Sequence, residues 1–130
     1  MQRLRSWMVP AGPASPVVYN VGELHQDNYG REGLAHVTVA GARHHGLRGV
    51  EVWLQTFAPG TGTPIHRHAC EEVFVIQRGG GTARFRGPGG GLRMVEFKQN
   101  DTLFIRPNLV HQVRPTCACC LRWQGDSQVP

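Results

Sequence analysis

A chain of 130 residues has room for one hydrophobic core and not two, and no apolar run in it approaches the roughly 18 residues of a membrane-spanning helix. The net charge of +5 comes from thirteen arginines and the single Lys98 against nine acidic residues. The arginines are scattered, without a basic run or an arginine-rich helix, so the charge reads as a solvated surface and not as a nucleic-acid footprint.

In chain order, residues 1–16 are rich in proline and small residues and are predicted to form an irregular arm. Its first ten residues lack the apolar core of about 7–15 residues that a secretory leader needs. The last five residues match no retention or lipidation signal. From Leu34 onward the pattern is β, with strands predicted over 34–39, 50–57, 65–68, 73–77, 82–86, 92–98, 102–105, 112–114 and 118–123. Many of the 17 glycines and 9 prolines fall between these segments, as Pro59-Gly60, Gly79-Gly80-Gly81 and Pro107-Asn108 illustrate. Nothing shows helical periodicity beyond two turns, and no long repeat is visible. Many short strands with frequent breakers imply an all-β sandwich or barrel. The barrel is assigned to residues 17–123 and a tail to 124–130.

Cys70, Cys117, Cys119 and Cys120 are not at C-x-x-C spacing, so neither a zinc ribbon nor a thioredoxin-like motif is indicated. Free thiols are the simple expectation. A pairing of Cys70 with one of the other three requires that their strands lie close.

The richest local signal is His66, His68 and Glu72, with His111 far downstream. In extended chain, residues two apart project to one face. His66 and His68 then present imidazole nitrogens to one ion, Glu72 adds a charged oxygen with the same parity, and His111 arrives from a distant strand. Three imidazoles and one carboxylate suit zinc, iron, manganese, cobalt, nickel or copper, and disfavour magnesium or calcium. The plainer reading is a chain generally rich in histidine, since His25, His36, His44 and His45 are also present. The flanking Gly60 and Gly79 and the β-rich run 73–76 favour a metal site over that reading. Glu71 has the opposite parity to Glu72 and is expected to face away, and Cys70 is likewise no candidate nucleophile. No catalytic residue is assigned.

The spacing Gly60-x5-His66-x-His68-x3-Glu72-x6-Gly79, with Asn100-Asp101 and Arg106-Pro107-Asn108 ahead of His111, resembles the two boxes of the cupin superfamily. That resemblance implies a double-stranded β-helix, or jelly-roll, barrel. The second box is looser, because Asn100 stands where glycine is usual and Arg106-Pro107-Asn108 replaces Pro-x-Gly. Residues 33–42, 50–56, 63–74, 97–102 and 111–113 resemble the plant auxin-binding protein family more narrowly, and the likeness covers about 17–114. It implies zinc (Zn2+) on His66, His68, Glu72 and His111. It also implies a pocket for auxin, an aromatic acetic acid, formed by Leu34, Trp53, Gln55, Thr63, Pro64 and Phe74.

The implied chemistry is coherent. Zinc with an open position takes a carboxylate oxygen. Trp53, Pro64 and Phe74 offer flat apolar walls to a ring, and Gln55 and Thr63 can hydrogen-bond the second oxygen. Read without the family, Trp53 and Phe74 are plain core residues.

The resemblance further implies a receptor role in auxin signalling, residence in the endoplasmic reticulum lumen, a homodimer and an unidentified membrane-protein partner; the scattered arginines imply no nucleic acid. Asn100-Asp101-Thr102 falls where the family is glycosylated, on Asn100. The departures are equally specific. The family continues past the position of Trp123 into a helix that closes the pocket, whereas the likeness here fades after Val113. Trp123 is the candidate replacement wall, and Arg31 stands where the family pocket has isoleucine. The family disulfide has no counterpart, since no cysteine precedes Cys70. A non-enzymatic, zinc-dependent auxin receptor is the leading expectation. A cupin metalloenzyme, an iron or manganese dioxygenase or oxidase on the same four ligands, is the alternative, and a structural barrel with a vestigial site is a third.

Overall fold

The computed structural model describes residues 18–116 and the backbone of 119–125. The predicted arm, the terminal 126–130 and the side chains of Cys117, Cys119, Cys120 and Trp123 lie outside the described residues. Among the described residues there are eight strands: β1 (Leu34–Ala40), β2 (Glu51–Phe57), β3 (Glu72–Arg78), β4 (Gly80–Arg86), β5 (Leu92–Lys98), β6 (Thr102–Ile105), β7 (Val110–Pro115) and β8 (Cys119–Gly125). Helical structure among the described residues is limited to one α turn, α1 (Ala42–His45), and two short 3-10 turns.

The strands form two antiparallel sheets, ordered β1-β2-β8-β3-β6 and β5-β4-β7. From β3 on the chain shuttles between them, except at the β4–β5 hairpin, which stays within the three-stranded sheet. At Gly79 the chain passes from β3 in one sheet to β4 in the other, and its φ of 78° is the left-handed conformation that favours glycine. The return from β5 to β6 turns at Asn100, with φ 72°, where Asp101 Oδ2 accepts from the Lys98 amide at 2.9 Å.

Alternation decides which residues face inward. Along β3, Glu72, Phe74 and Ile76 are buried while Val75 and Gln77 are exposed. Along β7, His111, Val113 and Pro115 are buried in the same way. The core between the sheets comprises Phe57, Phe74, Ile76, Ala83, Phe97, Ile105 and Val113. Burying each large apolar side chain of this set contributes about 1.5–3 kcal/mol. The architecture is the all-β jelly roll that the sequence predicts.

Eight of the nine predicted segments are strands. The exception is 65–68, where only His66 makes a β-bridge, to His111. Pro64 explains this: it has no N–H to donate, so a ladder cannot continue through it. Side chains replace the missing rungs. Thr63 Oγ1 accepts from the Val113 amide at 2.9 Å, and Gln112 Nε2 donates to the Thr63 carbonyl at 3.1 Å.

Candidate metal centre

The site forms where the two sheets meet at one end of the barrel. Glu72 begins β3, His111 sits second in β7, and His66 is tied to His111 by reciprocal backbone bonds of 3.0 and 2.9 Å. His68 follows in the same loop. His66, His68, Glu72 and His111 each offer one ligand atom, and these atoms all lie within 4.8 Å of one another. The four predicted donors are therefore brought together.

Backbone carbonyls orient the imidazoles. Nδ1 of His66 lies 2.9 Å from the Pro64 carbonyl, Nδ1 of His68 2.9 Å from that of Cys70, and Nδ1 of His111 2.8 Å from that of Leu109. A carbonyl can only accept, so each Nδ1 donates in these bonds and Nε2 is the nitrogen turned toward Glu72 and a metal. Nε2 of His68 and of His111 approach the same Glu72 oxygen, Oε2, at 2.5 and 3.0 Å. The His111 contact lacks hydrogen-bond direction, which leaves its buried Nε2 without a hydrogen-bonding partner. A buried lone pair facing a carboxylate and two further imidazoles is a donor set that fits a transition-metal or zinc ion.

Burial holds His66 below the ordinary imidazole value; the Pro64 carbonyl opposes this, and the neighbouring His111 and His68 reinforce it. Burial also acts to lower His111, but Glu72 and the Leu109 carbonyl together raise it above the ordinary value. Protons and a metal thus compete for the His111–Glu72 pair. Exposure runs from 1% at His111 and 3% at Glu72 to half-buried His66 and His68, so the open side of the site lies at the latter two.

Glu71 is exposed, as its parity predicts. Cys70 is a thiol whose Sγ lies 3.4 Å from His68 Nδ1, so it borders the site. This corrects the expectation that Cys70 turns away with Glu71: position 70 has the parity of His68 and Glu72, and Cys70 lies on their side.

The six predicted pocket residues are divided. Leu34, Trp53 and Gln55 line a cavity of about 440 Å³ on the inner face of β1 and β2. Thr63 is engaged with β7, Pro64 holds His66, and Phe74 is sealed in the core at 1% exposure. None of the four metal donors lines that cavity. The sheet register relates the two places. Glu51 and Glu72 both pair with Gly125, and Trp53 and Phe74 both pair with Trp123. Two strand spacings of about 4.8 Å separate β2 from β3, so the backbones of Glu51 and Glu72 are about 10 Å apart. A smaller cavity of about 200 Å³, with Ile65, Phe85, Leu92 and Val110 in its lining, borders His111 directly.

Sequence reasoning passed over His36, Glu51 and Arg43, which line the larger cavity. His36 is 7% exposed, its Nδ1 is 2.9 Å from Gln55 Nε2, and its ring meets Trp53 at 5.1 Å and Tyr29 at 5.0 Å. The signal was available: Leu34, His36 and Thr38 alternate along β1 and so share the inner face with Trp53 and Gln55.

Comparison with known proteins agrees with this architecture. A family model described as auxin binding protein matches residues 11–120. Auxin-binding protein 1 of Arabidopsis thaliana is 52% identical over 105 residues, covering 78% of this chain and 53% of the relative. Auxin-binding protein 5 of Zea mays is 49% identical over 102 residues, covering 75% and 67%. The chain thus spans about half the length of the first of these relatives and two thirds of the second. Similar solved structures include an RmlC-like cupin from Shewanella frigidimarina, with TM-score 0.69 and 14% identity over 86% of this chain and 91% of that one. An oxalate decarboxylase from B. subtilis superposes with TM-score 0.77 and 14% identity, covering 89% of this chain and 30% of that one. At such identities the cupins share the fold alone. The matched stretch, the four assembled donors and the jelly roll lead to one assignment: this chain belongs to the auxin-binding protein family.

Proposed function

We propose that the protein binds an auxin, an aromatic acetic acid, through a zinc ion held by His66, His68, Glu72 and His111, and that it acts as a receptor and not as an enzyme. The observation that carries this reading is the convergence of three carbonyl-oriented imidazoles on a buried carboxylate, in a chain of this family. Zinc, when bound, supplies a Lewis-acidic position for a ligand carboxylate and no redox chemistry. The chain's own residues do the rest. The Pro64, Cys70 and Leu109 carbonyls keep the imidazoles in register, and the core beneath Glu72 excludes water. The half-buried His66 and His68 leave the side from which a ligand enters.

His66→Ala removes a donor on the open side without emptying the core. It is expected to lower zinc content to background and to abolish auxin binding. Undiminished binding by that variant contradicts the reading. Metal analysis of protein purified without added zinc separates the receptor from the metalloenzyme alternative. Zinc is expected; iron or manganese accompanied by oxygen uptake contradicts it. We further propose residence in the endoplasmic reticulum lumen with a glycan on Asn100, which lies in an exposed turn. A glycosidase-sensitive mass that disappears in N100Q tests this.

A further inference from the structure

We infer that this chain selects aromatic acids carrying a second anionic group, which Arg31 holds at the far end of the cavity on β1 and β2. The inference rests on the reading of the metal centre as the site of the first carboxylate.

The cavity has an aromatic and apolar lining in Trp53 and Leu34, and a polar pair in His36 and Gln55. Its Arg and Glu lining residues fall at two ends. Arg43 and His44 belong to α1, and Glu51 lies beneath the start of that turn: a Cβ built on Gly41 would sit 3.0 Å from Glu51 Cγ. At this end Arg43 shares the lining with one acidic residue, Glu51. Arg31 enters from the segment before β1, beside Leu34, whose amide donates to the Arg31 carbonyl. No acidic residue lines the cavity at that end, and the Arg31 guanidinium makes no hydrogen bond or ion pair among the described residues. Arg31 is therefore a cation without an ion-pair partner among the described residues, lining a cavity floored by an indole ring.

The register supplies the length. From Glu72 to the Trp53 position is two strands across and one residue pair along, a diagonal of about 12 Å. Glu72 shares its strand's inner face with buried Phe74, and Trp53 shares its own with buried Phe57. An aromatic acid of indole size that places its carboxylate on the metal brings its ring to the Trp53 position. The outer edge of the ring then points into the cavity toward Arg31. An acidic substituent on that edge gains a charge-assisted bond to a planar guanidinium, where a bare ring leaves Arg31 to water.

The test is a calorimetric titration of zinc-loaded protein with indoleacetic acid and with its ring-carboxylated derivatives. At least one derivative is expected to bind about tenfold more tightly than indoleacetic acid, and the advantage should shrink as salt is raised. Arg31→Gln should bring the ratio close to unity, Arg31→Lys should retain part of it, and Arg43→Gln should preserve it. Arg31 and Arg43 are exposed, so these substitutions empty no core. If indoleacetic acid binds and no derivative exceeds it, the inference falls while the reading of the metal centre stands. An advantage that survives Arg31→Gln, or that Arg43→Gln removes equally, also overturns it. If neither ligand class binds, both are overturned.

Discussion

Each donor histidine is oriented by a carbonyl within two residues of it in the chain, so ligand and orienting group travel together in the sequence. That coupling makes the metal donors legible in the sequence: His66, His68 and Glu72 are close along the chain, and only His111 has to be placed by the fold. The cavity is less legible, because Leu34, His36, Glu51 and Trp53 meet only through the pairing of β1 with β2. His36 makes a pH prediction. Burial lowers its value, with Glu51 and Asp27 opposing. The unfolded chain takes up a proton near the ordinary histidine value of about 6.5 that the folded chain refuses. Its contribution to stability is therefore present above that pH and is lost as the pH falls below it, toward the lowered folded value. Urea unfolding of metal-free protein across this range should show a shallower acid loss in His36→Gln than in the parent. Taking the difference between the two isolates His36 from His111, whose raised value acts with the opposite sign. Equal slopes would contradict the assignment.

At the scale of the strand, β4 and β7 approach closely because Gly81 has no side chain. A Cβ there would lie 2.4 Å from the Arg114 carbonyl oxygen and 2.6 Å from Pro115 Cα, backbone atoms that no rotamer change can move. Gly81→Ala must push the strands apart, and is expected to cost about 2–3 kcal/mol in chemical denaturation, in the range of an overpacked core. A loss below about 0.5 kcal/mol, typical of a neutral surface change, would show that the strands have room to part. Strand positions are well marked in the sequence, since alternation and glycine-rich breaks are local signals. The one segment that departs, 65–68, has a strand's composition. Pro64 interrupts its ladder, and the Thr63 and Gln112 side chains supplement the backbone bonds that Thr63 and His66 keep to β7. Cys70 was legible too: it shares the parity of His68 and Glu72, and its thiol lies beside His68 accordingly.

For the molecule as a whole, the site joins the two sheets: Glu72 comes from the five-stranded sheet, His111 from the three-stranded one, and His66 is bridged to His111. An ion held by all of them binds the folded state and has no preformed site in the unfolded one. Free metal at a hundred times its dissociation constant should therefore add about 2.7 kcal/mol of stability. Chelation should lower the melting temperature of the parent and leave that of His66→Ala nearly unchanged. The core beneath is a separate support. Ile76→Ala, at a position with no exposed surface, should cost about 2–5 kcal/mol whether or not metal is present. The topology is implied by the family resemblance and not by strand pattern alone, which leaves sandwich and barrel equally open. The most direct test of the account is a calorimetric titration of indoleacetic acid into zinc-loaded protein, with a chelator-stripped sample alongside. Micromolar or tighter binding that disappears with the zinc is the predicted result; no binding by folded, zinc-loaded protein, or binding indifferent to zinc, would contradict it.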